Sequence, residues 1–181
     1  MAQINGGAAA VLITSFPSAA APANGVSAEA VQREIFDQME KVATKAAATM
    51  VNGQVIFTIA GGSIVILDLF SICVSTNDAT ASTLQYSSSP TVGSAATISG
   101  ASASLASVAA GATIRLAPTA LSTAPVIALA AAGGVQLGTN VANRIIVNAG
   151  TLTIVIAVGS TTGTWSHHIR YQPLARGVTV T

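Results

Sequence analysis

Residues 54–76 read QVIFTIAGGSIVILDLFSICVST, and the way this stretch is read decides the fold class. From Val55 to Val74 it is long enough to span a bilayer, but Gly61-Gly62 and Asp68 interrupt it. Its Val and Ile content and central Gly-Gly-Ser fit two strands joined by a tight turn better, so no membrane span is expected. The pattern persists downstream. Short runs rich in Val, Ile and Thr alternate with Gly, Asn, Ser and Pro, giving candidate strands at 54–60, 64–74, 80–86, 95–98, 112–116, 126–130, 144–147, 152–158, 164–171 and 177–180. With no second long helix to serve as a crossover, the expectation is mainly β: an antiparallel β-sandwich or jelly-roll-like domain over residues 53–181. Residues 87–94 and 101–110 read as Ser- and Ala-rich loops, the latter with room for one helical turn.

Upstream the pattern differs. Residues 27–50, SAEAVQREIFDQMEKVATKAAATM, carry Val31, Ile35, Met39, Val42, Ala46 and Met50 at spacings of three and four. That spacing predicts an amphipathic helix, within a segment bounded at 27–52, with Ser27 as N-cap and Glu29 favoured by the helix dipole. Glu29, Arg33, Asp37, Lys41 and Lys45 recur every four residues on the opposite side, a solvated ladder of i,i+4 pairs. Residues 1–26 have neither a helical nor a strand period and read as an extended arm, with Val11, Leu12, Ile13 and Phe16 apolar enough to dock on a neighbour. Fully extended, the arm reaches about 85 Å. Its first residues lack the positive region of a secretory signal.

Composition narrows the function classes. The chain has 181 residues, of which 51% are hydrophobic, 7% charged and 4% aromatic, with a formal net charge of +1. A folded monomer of this size exposes roughly 8,000 Å², and ordinary soluble surfaces are about a quarter to a third Lys, Arg, Asp and Glu. Seven basic and six acidic side chains cannot supply that. Either the exterior is Ser, Thr, Ala and Gly, or neighbouring subunits cover much of it. The four arginines after residue 100 are scattered and not interleaved with aromatics, so no nucleic-acid footprint is present. Cys73 is the single cysteine, which rules out an internal disulfide.

Catalytic readings start from few groups. His167 and His168 are adjacent, and neighbours on a strand point to opposite faces, so the pair cannot both ligate one metal without a distortion. The strand reading puts Trp165, His167, Ile169 and Tyr171 on one face and His168 and Arg170 on the other. Zinc would need more ligands than Cys73, Asp68 and Asp78 provide. No Gly-x-Ser-x-Gly elbow and no phosphate-binding loop occur. No enzyme, cofactor or metal is expected.

Three stretches carry a resemblance: residues 54–76, "STLQYSSSPTVGSAATI" at 82–98 and "TTGTWSHHIRYQPLARGVTV" at 161–180. Their order resembles small structural proteins of tailed bacteriophages that look like capsid decoration, or cement, proteins, although His167-His168 stands where aliphatic or small residues are more usual. The resemblance implies a non-enzymatic virion protein on the outer surface of the capsid, bridging subunits of the major capsid protein. A homo-oligomer is expected, a trimer in preference to a dimer, with Val11, Leu12, Ile13, Phe16, Val31, Ile35, Met39 and Val42 of the arm and helix touching partners. The alternative is a tail or head-fibre component with an assembly or receptor-binding sandwich. Neither reading calls for nucleic acid or a membrane.

Overall fold

The computed structural model describes residues 39–116, 124–128, 144–158 and 160–181, and the description below is confined to them. They form eleven strands and, among the described residues, no helix. One sheet takes β1 (Lys41–Val51), β3 (Ile64–Cys73), β6 (Thr113–Arg115), β7 (Val126–Ala128), β8 (Ile145–Val147) and β10 (Ser160–Pro173). Its order is β1-β10-β3-β6-β7, with β8 also paired to β3. The other takes β2 (Val55–Ala60), β4 (Leu84–Pro90), β5 (Ala96–Thr97), β9 (Gly150–Ile156) and β11 (Thr179–Val180), in the order β11-β2-β9-β4-β5. Every pairing is antiparallel.

Alternation of side chains across the pleat gives each sheet one apolar face, and the two faces share a single core. Phe57, Ile59, Leu84, Tyr86, Leu152 and Ile154 come to it from the five-stranded sheet, and Leu69, Ile114, Trp165 and Ile169 from the six-stranded one. Burying a side chain of this size contributes about 1.5–3 kcal/mol. β3 has neighbours along both edges: β10 on one, and on the other β6 at Phe70–Ile72 and β8 at Ile64–Ile66. This central position satisfies its backbone along both edges, and its apolar run is buried throughout Ile64–Ile66 and alternates buried with half-buried positions from Asp68 to Cys73.

The strand expectations hold in outline. The turn at Gly61-Gly62 is real, with φ of 82° and 152°, but β2 and β3 do not pair with each other. The turn is a corner that passes the chain from one sheet to the other. A Cβ on Gly61 would stand 2.8 Å from the Gly177 carbonyl oxygen, so the corner is packed as well as bent. Residues 87–90, expected as loop, continue β4, because β9 supplies a partner for each of them. Residues 101–110 hold no helical turn; Leu105 and Val108 instead reach into the core.

One expectation is overturned. The predicted helix extended through residue 50, yet residues 41–51 are strand β1, so the β domain begins at Lys41 and not at residue 53. In a helix Val42 and Met50 would share a stripe; here Val42 is 66% exposed and Met50 is fully buried. The competing interaction is long-range. Lys41 to Lys45 pair in register with Tyr171 to His167 of β10, and the Met50 amide donates to Thr161 Oγ1 at 3.0 Å. Helix propensity in an Ala-rich stretch is a weak preference that such pairing outweighs. The rest of the predicted helix, residues 27–38, and the arm, residues 1–26, lie outside the described residues.

Candidate functional site

The two sheets turn different chemistry outward. On the six-stranded sheet, β3 presents Asp68, Phe70 and Ile72, flanked in register by Arg170, His168 and Ser166 of β10. Arg115 of β6, whose backbone pairs with Phe70, forks onto Asp68: Nε donates to Oδ1 at 2.8 Å and Nη2 to Oδ2 at 2.7 Å. This pair is well shielded, its side chains being only 18% and 9% exposed. Arg170 pairs with Glu40 in the open. The hydrogen bond from Arg170 holds the Glu40 carboxyl below its ordinary range, and Glu40 in turn raises the guanidinium.

Between the two pairs, the His168 ring stacks on Phe70 with centroids 4.9 Å apart and planes 12° from parallel. Thr44 Oγ1 lies 3.2 Å from its Nδ1 and Ser166 Oγ 3.0 Å from its Nε2. Partial burial lowers its basicity. Both ring nitrogens are therefore engaged by neighbouring hydroxyls.

His167 faces the other way. Its Nδ1 lies 2.7 Å from Ser71 Oγ, which lies 2.9 Å from the Tyr86 hydroxyl, so a buried polar chain crosses the core from β10 through β3 to β4. Burial, helped by positive charge on His168 and Lys45, pushes His167 down to about 4. Burial likewise pushes Tyr86 up. A serine hydroxyl beside a neutral imidazole has the outline of a nucleophile and its base. Here Ser71 is fully buried and His167 is 1% exposed, and among the described residues no carboxylate contacts the imidazole. The geometry links the two sheets through the core.

A third polar cluster closes one end of the sandwich. Asn77 Oδ1 accepts from the Gly163 amide at 2.9 Å and from Trp165 Nε1 at 3.3 Å, while its Nδ2 donates to the Leu105 carbonyl at 3.0 Å. A Cβ on Gly163 would stand 2.3 Å from Asn77 Oδ1 and from the Ser75 carbonyl oxygen. Cys73 is buried alongside, its thiol donating to the Ser75 carbonyl, and burial raises its pKa. Among the described residues, no three His, Cys, Asp or Glu side chains are grouped so as to hold a metal ion.

The five-stranded sheet is chemically quiet. None of the residues of β2, β4, β5, β9 and β11 is acidic, basic or histidine. Two cross-strand rows mark its outward face: Thr58, Thr151 and Ser89, then Val55, Thr153, Ser87 and Thr97. Among the described residues, every strand-borne charged or histidine residue, Lys41, Lys45, Asp68, Arg115, His167, His168 and Arg170, belongs to the other sheet.

Of the expected partner contacts, Val11, Leu12, Ile13, Phe16, Val31 and Ile35 lie outside the described residues. Met39 and Val42 are exposed, Val42 on β1 instead of a helix. The reading of residues 164–172 placed Trp165, His167, Ile169 and Tyr171 inward, and the structure buries all four. It did not find Ser71 or Tyr86 as the partners of His167, since that pairing depends on strand register across distant segments. Comparison with family models, with curated proteins and with solved structures finds no match to this chain.

Proposed function

We propose that the chain is a non-enzymatic structural protein of a tailed-phage virion that decorates the outside of the capsid and stabilises it by bridging major capsid protein subunits. The observation that carries this reading is the strand order. We read the runs β1-β10-β3-β6 and β2-β9-β4-β5 as the two-sheet order of a jelly roll, an architecture found among viral capsid domains. Fold alone does not dictate function. Two further features support the reading: the sequence stretches that resemble decoration proteins, and polar chemistry that is used to tie the fold together instead of lining a cleft. A bridging protein works by adding buried area across subunit boundaries, so internal pressure must break those contacts too. Mass action and multivalency at repeated sites supply the stability.

In this reading residues 1–26 and the amphipathic segment that follows lie against neighbouring subunits, and the sandwich forms a homo-oligomer, a trimer in preference to a dimer. Imaging of particles labelled for this protein tests it: density distributed over the shell is expected. Label at a single vertex favours a tail or head-fibre component, and absence from particles overturns the virion role. Deleting residues 1–26 should abolish or weaken shell binding while the sandwich keeps its far-UV circular dichroism; unchanged binding removes the arm from the mechanism.

A further inference from the structure

We propose that Asn52-Gly53, in the turn between β1 and β2, is a self-modification site: β9 holds the pair unreacted, and release from β9 converts Asn52 irreversibly to isoaspartate or aspartate. The chemistry is the chain's own and does not depend on what it assembles with.

The turn demands this dipeptide twice over. The Gln54 amide donates to the Val51 carbonyl at 3.0 Å, closing a four-residue turn whose third residue, Gly53, has a φ of 79°. Asn52 does not take a positive φ, so the turn is of type II, which calls for glycine or asparagine at that third position. A Cβ on Gly53 would meet nothing within 4 Å, so backbone conformation and not packing selects the glycine. Asn52 has a separate task. Its Oδ1 accepts from the Ile156 amide at 3.1 Å, at the end of β9. Two structural demands thus set a side-chain amide directly before a residue that has no side chain, and both residues are exposed.

That juxtaposition is reactive. The Gly53 backbone nitrogen, on losing its proton to base in the solvent, attacks Asn52 Cγ, and no Cβ on Gly53 obstructs it. The new C–N bond closes a five-membered succinimide, and the side-chain nitrogen leaves as ammonia. Water then opens the ring at one carbonyl or the other, giving isoaspartate or aspartate. The sum is amide plus water to acid plus ammonia, with nothing oxidised or reduced. Asparagine is for this reason among the thermolabile residues.

β9 opposes each part of that step. The attacking nitrogen donates its proton to the Ile154 carbonyl at 2.9 Å, and the Ile156 amide pins the carbonyl to be attacked. On the flanks, the Ile154 amide donates to the Gln54 carbonyl at 3.1 Å and the Val51 amide to Gln54 Oε1 at 3.2 Å. Ring closure needs Asn52 to rotate about its backbone and side-chain bonds, so the turn must first open locally. Once formed, isoaspartate adds a methylene to the main chain, and the Val51 carbonyl and Gln54 amide no longer meet at turn spacing. Either product sets a carboxylate beside a sheet whose strands carry no charge among the described residues.

The test incubates the full-length chain, folded and in urea, at one mildly alkaline pH. Conversion at Asn52 is followed by peptide-mapping mass spectrometry, with isoaspartate read by enzymatic methyl transfer. The two bonds at the reacting atoms should slow conversion in the folded chain by about thirtyfold. Gln54→Ala removes only the Val51 contact and should react severalfold faster than wild type with its melt preserved. Equal or faster conversion in the folded chain, the result if the Ile156 bond activates the carbonyl, overturns the lock. An unfolded chain that keeps Asn52 intact overturns the site. A folded Gln54→Ala that reacts at the wild-type rate overturns the part given to the turn. Hydrogen exchange of the wild-type Gly53 amide is read alongside: protection is expected, and exchange at the rate of an open amide overturns the lock whether or not Gln54→Ala folds.

Discussion

The outward faces of the two sheets are built on one core yet answer to different constraints. On the six-stranded sheet, polar side chains are paired to one another: Asp68 with Arg115, Arg170 with Glu40, His168 with Thr44 and Ser166. Each of these groups has its partner within the chain, although Val42 and Ile146 of the same sheet stay exposed. On the five-stranded sheet the rows are hydroxyl and valine without charge, and Ser87 is buried with its hydroxyl donating to the Ala96 carbonyl at 3.0 Å. The contrast separates two uses of scarce charge: a shielded ion pair ties one sheet together, and the other is held without any.

The contrast is broken most completely by destroying the frame that both faces share. Gly163→Ala places a methyl group 2.3 Å from Asn77 Oδ1 and from a backbone oxygen that cannot move aside. Overpacking with backbone displacement should cost about 3 kcal/mol or more, read as a large loss in denaturation midpoint. A midpoint within error of wild type would mean the end cluster gives way easily.

Acid comes next, and it acts at His167, in the buried chain that joins the two sheets. His167 sits at about 4 in the fold against 6.5 in the open chain, so between those values the unfolded state binds a proton that the folded state refuses. Stability is therefore full above pH 6.5, falls as pH drops toward 4, and loses about 3 kcal/mol in total. His167→Gln should flatten that segment of the stability-against-pH curve. A slope unchanged by the substitution would assign the acid sensitivity elsewhere.

A smaller effect sharpens the comparison between outward faces. Arg115→Met leaves the Asp68 carboxylate shielded and without its fork, which should cost about 2 kcal/mol in chemical denaturation, below the range for fully buried pairs. Thr151→Ala, at a comparable central position on the five-stranded sheet, should stay within about 0.5 kcal/mol for the isolated chain. Equal costs at the two positions would erase the distinction.

How much of this was legible in the sequence depended on the range of the interaction. The apolar runs at 54–60 and 64–74 and the alternation through 164–172 are local patterns, and they read correctly. Residues 41–51 were misread because Lys41 and Lys45 happen to continue a four-residue charge ladder through an Ala-rich stretch. What makes this segment a strand is β10, more than a hundred residues away, and no local period reports that register. The same limit hid the Ser71–His167–Tyr86 chain. The division of charge between sheets was visible as residues but had no meaning until the topology sorted alternate strands into different layers.

The shared edge of β3 has a consequence for the stretch of chain between Arg115 and Ile145. That stretch leaves from a strand paired at Phe70–Ile72 and returns to one paired at Ile64–Ile66. Its two anchor points on β3 are separated by four residues, about 13 Å. β3 thus works as a ruler that fixes the span whatever lies between the marks.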